Sequence, residues 1–319
     1  MFGRIMDIEF FHFVLTPMLK LYTKVFNIDM EEALVSDFSK YSTISQFFRR
    51  PLKPELRPID TSVPLTSPCD GRVLHAGEVT SGVIEHVKHL NYSLPKFFGP
   101  IFFDPPNADP KELGEYHRNH RASSSPDSYH KVLLQNPDSK LCYCVIYLSP
   151  GDCHRFFSPV DWVMKHRRHF PGELVSVSPS VVKKIPGVFS MNERVNLSGN
   201  WKHGFFAMSA VGATNVGSIY VYDDLLLRTN RRHYTKGTFF DVTFADGKGY
   251  EIEKGEGIGE FNMGSTIVLI FEAPQDFKFD LEQGQVMRYG EPLMKREPEE
   301  KTEKKTEEKQ PLTQASSFS

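Results

Sequence analysis

The chain has 319 residues, 39% of them apolar and 24% charged, an ordinary globular composition that can bury one large core or two modest ones. Its 38 basic and 40 acidic residues leave a formal charge of -2, which gives no electrostatic reason to expect nucleic acid as a partner. Four cysteines, Cys69, Cys142, Cys144 and Cys153, make no zinc pattern, and the 12 histidines suggest no ligand cluster, so no metal site is expected.

The first apolar stretch, Ile8 to Phe26, is interrupted by Glu9, Lys20 and Lys24 and broken by Pro17. It is too short to cross a bilayer, which takes roughly 20 apolar residues. It reads either as an interfacial amphipathic helix or as a helix packed on the domain. No secretory signal and no Arg-rich, Ser-rich transit peptide is present in the sequence. Asp29 to Phe48 reads as a helix, with Met30-Glu31-Glu32 in its first turn and Leu34, Phe38, Ile44 and Phe48 at rough helical spacing. Pro51, Pro54 and Pro58 end it and start a basic, extended linker.

From Ser67 onward β signals dominate. Asp70-Gly71 is a turn feeding a strand. Phe103 to Lys131, polar and weakly periodic, reads as an inserted surface loop. Leu141 to Leu148 is a buried strand that puts Cys142 and Cys144 on one face as reduced thiols. Phe239 to Tyr250 reads as a polar hairpin with Asp246-Gly247 at its tip. Of the 26 Phe, many come in pairs such as Phe47-Phe48 and Phe205-Phe206; these read mainly as core, with a minority at lipid. The tail, Lys295 to Ser319, is Glu/Lys-rich and then Gln/Ser-rich and is expected to be disordered.

The chemically loaded stretch is Glu260-Phe261-Asn262-Met263-Gly264-Ser265-Thr266, followed by the β-branched run Ile267-Val268-Leu269-Ile270-Phe271-Glu272. The run reads as a buried strand. Gly264 has no Cβ to shield its carbonyl, and Ser265 can turn its hydroxyl back onto it. Such a nucleophile needs a base and an oriented partner. A bare Gly-Ser-Thr is more often a simple turn into a strand; the flanking text changes that.

Lys254 to Glu272 resembles the C-terminal signature of type I phosphatidylserine decarboxylases, whose usual tetrapeptide is Leu-Gly-Ser-Thr. Met263 stands for the Leu, a change of similar volume. Further blocks match in order: Ser67-Pro68-Cys69-Asp70-Gly71, Val87-Lys88 with Asn91-Tyr92-Ser93-Leu94, Gly151 to Pro159, Trp201 to Phe206, and Val211 to Ser218. The resemblance runs from about Val14 to about Pro292, apart from the loop at 103–131.

That resemblance implies an α+β protein. A helical, membrane-associating segment and linker would span 1–60, a mainly antiparallel β catalytic core 61–294, and the charged tail 295–319. It implies self-cleavage between Gly264 and Ser265, giving a β chain ending at Gly264 and an α chain from Ser265 that stay packed together. Ser265 would become a pyruvoyl group, the covalent cofactor. The ketone would form a Schiff base with phosphatidylserine and yield phosphatidylethanolamine. Asp70 would orient a histidine, and His154, first of an Asp-x-His-x-x-His motif, would serve decarboxylation. Thr266, Tyr92 and Asn215 are weaker candidates for shaping the site, as are Val87 and Lys88. The implied setting is a membrane surface, by resemblance the intermembrane-space side of the mitochondrial inner membrane; a homodimer is compatible with it.

One position departs from the pattern. The second histidine of the motif is the base that activates the serine, and here it is Phe157. Phenylalanine accepts no proton, and losing a general base costs roughly 10²–10⁴-fold in rate. An uncleaved, non-catalytic relative that binds lipid or acts as a scaffold is therefore the alternative.

Overall fold

The computed structural model describes residues 8–80, 82–84, 92–100, 126–214, 218–231, 233–262 and 264–296. Its helices are α1 (His12–Phe26), α2 (Ile44–Phe48), α3 (Leu94–Phe98), α4 (Pro126–Leu133), α5 (Pro179–Val182) and α6 (Val188–Met191). Its strands are β1 (Gly71–Glu78), β2 (Val83–Ile84), β3 (Tyr92–Ser93), β4 (Ser139–Leu148), β5 (Arg155–Phe157), β6 (Trp162–Phe170) and β7 (Arg194–Trp201). They continue with β8 (Gly204–Gly212), β9 (Ile219–Val221), β10 (Phe240–Thr243), β11 (Tyr250–Ile252), β12 (Gly257–Phe261), β13 (Ser265–Pro274) and β14 (Val286–Met287). The fold is α+β with an antiparallel β core and N-terminal helices, as the sequence predicts.

The main sheet runs β10-β6-β7-β8-β13-β4-β1-β14, with β11 also on β6. β13 lies in its middle. It pairs with β4 from Ser265↔Leu148 to Pro274↔Ser139, and with β8 from Ser265↔Gly212 to Phe271↔Phe206. A strand buried on both faces needs apolar residues at every position, which is why this stretch shows no polar alternation. Ile267, Leu269 and Phe271 enter one core, with Ile146, Leu148, Phe206 and Trp162. Val268 and Ile270 enter the other, on the opposite face, with Tyr143, Phe205 and Phe97. Each such side chain contributes about 1.5–3 kcal/mol by leaving water.

Glu272 is the charged exception within β13. It is fully buried, and its carboxylate accepts N–H bonds from Gln135 (3.0 Å), Asn136 (2.8 Å) and Phe205 (3.0 Å). Backbone donors thus satisfy a charge that would otherwise be costly. The chain passes so close at Gly204, where φ is +113°, that a Cβ would collide with this carboxylate.

α1 packs Leu15 and Leu19 onto Tyr41 and Phe47 in a separate small cluster. It runs through Pro17 and stops at Asn27, which adopts the left-handed conformation. No described helix is long and apolar enough to cross a membrane.

Three local expectations need correction. Asp29 to Phe48 is not one helix: Met30–Glu32 and Phe38–Lys40 are single 3₁₀ turns, and only α2 is α-helical. Asp29 and Asp37 each accept the N–H two residues on, which favours turns over a continuous helix. The polar stretch ending at Lys131 is helical in its last part, because α4 buries Tyr129 and Leu133 in the second core; residues 103–125 lie outside the described residues. Phe239 to Tyr250 is not a hairpin. β10 and β11 both pair with β6, from Phe240↔His169 to Ile252↔Trp162, so the chain follows one sheet edge throughout. A turn with Ala245 and Asp246 at positive φ interrupts it while Phe244 is buried. The tail from 297 also lies outside the described residues.

Leu269 sits at the centre of this arrangement, fully buried. Leu269→Ala is expected to destabilise the protein by about 2–5 kcal/mol, seen as a lower urea midpoint with an unchanged m-value.

Candidate functional site

Ser265 is the first residue of β13 and is fully buried between Leu148 and Gly212. Among the described residues its Oγ has no hydrogen-bond partner, and neither has Thr266 Oγ1. Buried hydroxyls are ordinarily bonded, so two such consecutive groups call for an explanation. Just upstream, Asn262 is tied by its N–H to the Ser218 carbonyl and by Nδ2 to Ser218 Oγ (3.0 Å), while its Oδ1 finds no partner among the described residues.

Gly264 joins these residues, and neither of the usual reasons for glycine applies to it. Its φ is not positive, and a Cβ there would meet only the Thr214 carbonyl at 3.8 Å among described residues, an ordinary contact.

His154 precedes β5. β5 pairs with β12, and the Phe261 N–H donates to the His154 carbonyl at 2.8 Å, so His154 is bound to the strand that leads into Gly264. The imidazole is fully buried, edge-on to Phe48. Nδ1 lies 2.9 Å from the Asp152 carbonyl, which only accepts, so Nδ1 carries the proton and Nε2 the lone pair. Nε2 has no partner. Burial pushes the His154 pKa down to about 4, so the ring is neutral at neutral pH. Burial also raises the Asp152 carboxyl, partly offset by the Ser149 N–H at 2.6 Å.

Asp70, at the head of β1, faces a cation. Arg57 donates to it from Nη2 (2.8 Å) and Nε (3.1 Å), and the Tyr289 N–H donates to Oδ1 at 2.9 Å. Arg57 Nη2 also reaches Glu32 at 2.7 Å. Burial works to lower the Arg57 pKa, but the bonds to Asp70 and Glu32 win and raise it above its ordinary value. Phe157 lies beside this cluster, its ring stacked on Tyr289 at 4.1 Å between centroids. The structure thus brings Asp70 and Phe157 together through Tyr289, and occupies Asp70 with Arg57 in place of an imidazole.

Tyr92 is placed in β3 opposite Ile84 by its backbone. Met263, Asn215, Val87 and Lys88 lie outside the described residues. Sequence reading missed Arg57 and Tyr289: the first sits in what reads as a basic linker, and the second carries no motif. All four cysteines are free and buried, and no group of three or more metal-ligating side chains occurs among the described residues.

His154 makes a pH prediction. Its folded pKa lies below the ordinary value, so between about pH 6.5 and pH 4 the unfolded chain binds a proton that the native one does not. Stability is therefore complete above this window and falls by roughly 3 kcal/mol as pH drops through it. Denaturant titrations at several pH values are expected to show this slope, and His154→Gln to flatten it.

The phosphatidylserine decarboxylase family profile matches residues 44–295. The chain is similar to the mitochondrial phosphatidylserine decarboxylase proenzyme of Cricetulus griseus, 46% identical over 294 residues, covering 91% of this chain and 69% of that one. It is 36% identical over 340 residues to the mitochondrial phosphatidylserine decarboxylase proenzyme 1 of Schizosaccharomyces pombe, covering 91% and 78%. It is 39% identical over 273 residues to the mitochondrial proenzyme of Caenorhabditis elegans, covering 86% and 64%. With a profile match over most of its length, and relatives 46% and 36% identical over 91% of it, the chain belongs to the phosphatidylserine decarboxylase family of lyases.

Proposed function

We propose that this protein is a proenzyme that cuts its own Gly264–Ser265 bond and then decarboxylates phosphatidylserine to phosphatidylethanolamine at a membrane surface. The observation that carries this reading is the buried hydroxyl of Ser265 at the head of β13, unpartnered among the described residues, next to a glycine that neither its backbone conformation nor contact with those residues requires.

In the maturation step Ser265 Oγ adds to the Gly264 carbonyl carbon, the C–N bond breaks and an ester forms. Loss of the Cα proton of residue 265 and breakage of its Cβ–Oγ bond free the Gly264 carboxylate and leave dehydroalanine. Water then displaces the nitrogen as ammonia, and a ketone remains. The buried Thr266 hydroxyl, unpaired among the described residues, fits such a group, since it keeps an unused hydrogen-bond donor beside residue 265. The ketone supplies an acceptor for the substrate amine and a sink for the electrons that carbon dioxide leaves behind. Because β13 is paired along both edges, the α chain is held by β4 and β8 after the cut.

His154 is assigned the proton that replaces carbon dioxide. Its Nε2 must first gain that proton, and an anionic substrate beside it raises its proton affinity. α1 is assigned the membrane contact. Phe11, Val14, Met18, Leu21 and Val25 stand exposed at intervals of three and four, along a stripe that adjoins the buried Leu15 and Leu19. The relatives' names point to the mitochondrion, and the resemblance to the inner membrane facing the intermembrane space.

A second reading rests on Phe157. Its ring is stacked on Tyr289 and Asp70 is taken by Arg57, so the usual base and its partner are both diverted. An uncleaved lipid-binding protein would keep the fold in that state.

Denaturing electrophoresis and intact-mass measurement separate the two. The first reading expects a fragment from 265 onward with a blocked N-terminus; a single continuous chain that releases no carbon dioxide removes it. Ser265→Ala is expected to abolish cutting and activity together, and Phe157→His to speed cutting by roughly 10²–10⁴-fold. Gly264→Ala is expected to fold with an unchanged melting temperature yet to cut more slowly, a split that a purely structural glycine would not show.

A further inference from the structure

We propose that the turn from Asp223 to Arg228, together with Phe240, is a second lipid-contacting element that presses into an anionic bilayer surface. Leu225 and Leu226 are 81% and 77% exposed, and Phe240 on the sheet edge is 54% exposed. Single exposed leucines need no explanation, but an adjacent pair held on a rigid support does.

The support is a buried ion pair. Asp224 accepts the N–H groups of Leu226 (3.2 Å) and Leu227 (3.1 Å), which shapes the turn. Arg167, from β6, donates to the same carboxylate from Nε (2.6 Å) and Nη2 (3.2 Å). Arg167 Nη1 also donates to the Phe240 carbonyl at 3.2 Å. One guanidinium thus ties together the two backbone segments that carry the exposed apolar side chains. Leu227 is buried and anchors the turn to the core, and Arg228 Nη1 folds back onto the Leu225 (2.7 Å) and Leu227 (2.8 Å) carbonyls. The apolar tips stand in water on a base that the interior holds fixed.

The neighbouring charge selects the occupant. Arg228, Arg231 and His233 follow the leucines in sequence, a basic run suited to anionic headgroups, and Lys236 beyond them is paired with Glu173 at 2.9 Å. On the other side, Tyr220 and Tyr222 are exposed, Tyr222 Oη donates to Glu260 (3.2 Å), and Arg49 Nη1 donates to the same carboxylate (2.6 Å). Arg49 follows α2, whose Phe47 packs on α1. Tyrosine and arginine between two apolar elements is the composition of a membrane–water boundary. The turn and α1 would flank the chain that leads into Gly264.

This inference rests on the reading that the substrate is a bilayer lipid, but it needs no cleavage or turnover. The native cysteines are buried, so Leu226→Cys gives the full-length chain one accessible thiol for an environment-sensitive fluorophore. Vesicles of phosphatidylcholine with phosphatidylserine are expected to shift its emission to the blue at any protein concentration. The double variant Leu225→Asp, Leu226→Asp is expected to partition onto those vesicles about tenfold more weakly, with an unchanged unfolding midpoint. A probe that stays unshifted while the protein sediments with vesicles overturns the proposal and leaves α1 as the contact. A chain that does not sediment with vesicles overturns it as well. A blue shift that grows with protein concentration in the absence of vesicles overturns it in favour of a second copy of this chain.

Discussion

The structure depends on β13 being paired along both edges in the middle of an antiparallel sheet. Backbone hydrogen bonds to β4 and β8 and side chains in both cores hold Ser265 in place without help from the peptide bond that precedes it. If one edge of β13 were open, its first residue would be free to fray; here that residue is paired on both sides. The same burial strips the Ser265 hydroxyl of water, and among the described residues it has no hydrogen-bond partner.

The charges around Asp70 are arranged differently from what the motif implies. A buried carboxylate must be paired, and without an imidazole at 157 it is paired by Arg57, which Glu32 holds from the N-terminal segment. Phe157 fills its own place by stacking on Tyr289, whose backbone N–H completes the Asp70 shell. With Phe157 at this place, Asp70 is still paired and the ring is stacked on an aromatic neighbour. His154, neutral and with an Nε2 unpaired among the described residues, is bonded through its carbonyl to the strand that leads toward Gly264.

Some polar residues of the signature are structural. Glu272, which ends the apolar run, is a capping carboxylate for three backbone amides and the reason Gly204 has no side chain. Gly204 and Gly264 form a useful contrast. A positive φ and a collision with the Glu272 carboxylate account for one; at the other, neither backbone conformation nor contact with the described residues does.

The buried strand through Ile267 to Phe271, the strand at Leu141 to Leu148 and the place of Ser265 at the mouth of the first were legible in the sequence. They are local patterns: runs of apolar and β-branched residues and the position of one residue beside them. Partnerships across the chain were decided only by tertiary structure. Tyr289 lies 219 residues from the carboxylate it bonds, and Asp224 lies 57 residues from Arg167. The same holds for β10 and β11, whose turn residues suggested a hairpin but whose hydrogen bonds go to β6. Propensity states which backbone shapes a segment tolerates; which neighbour satisfies its donors and charges is set by where the rest of the chain has folded.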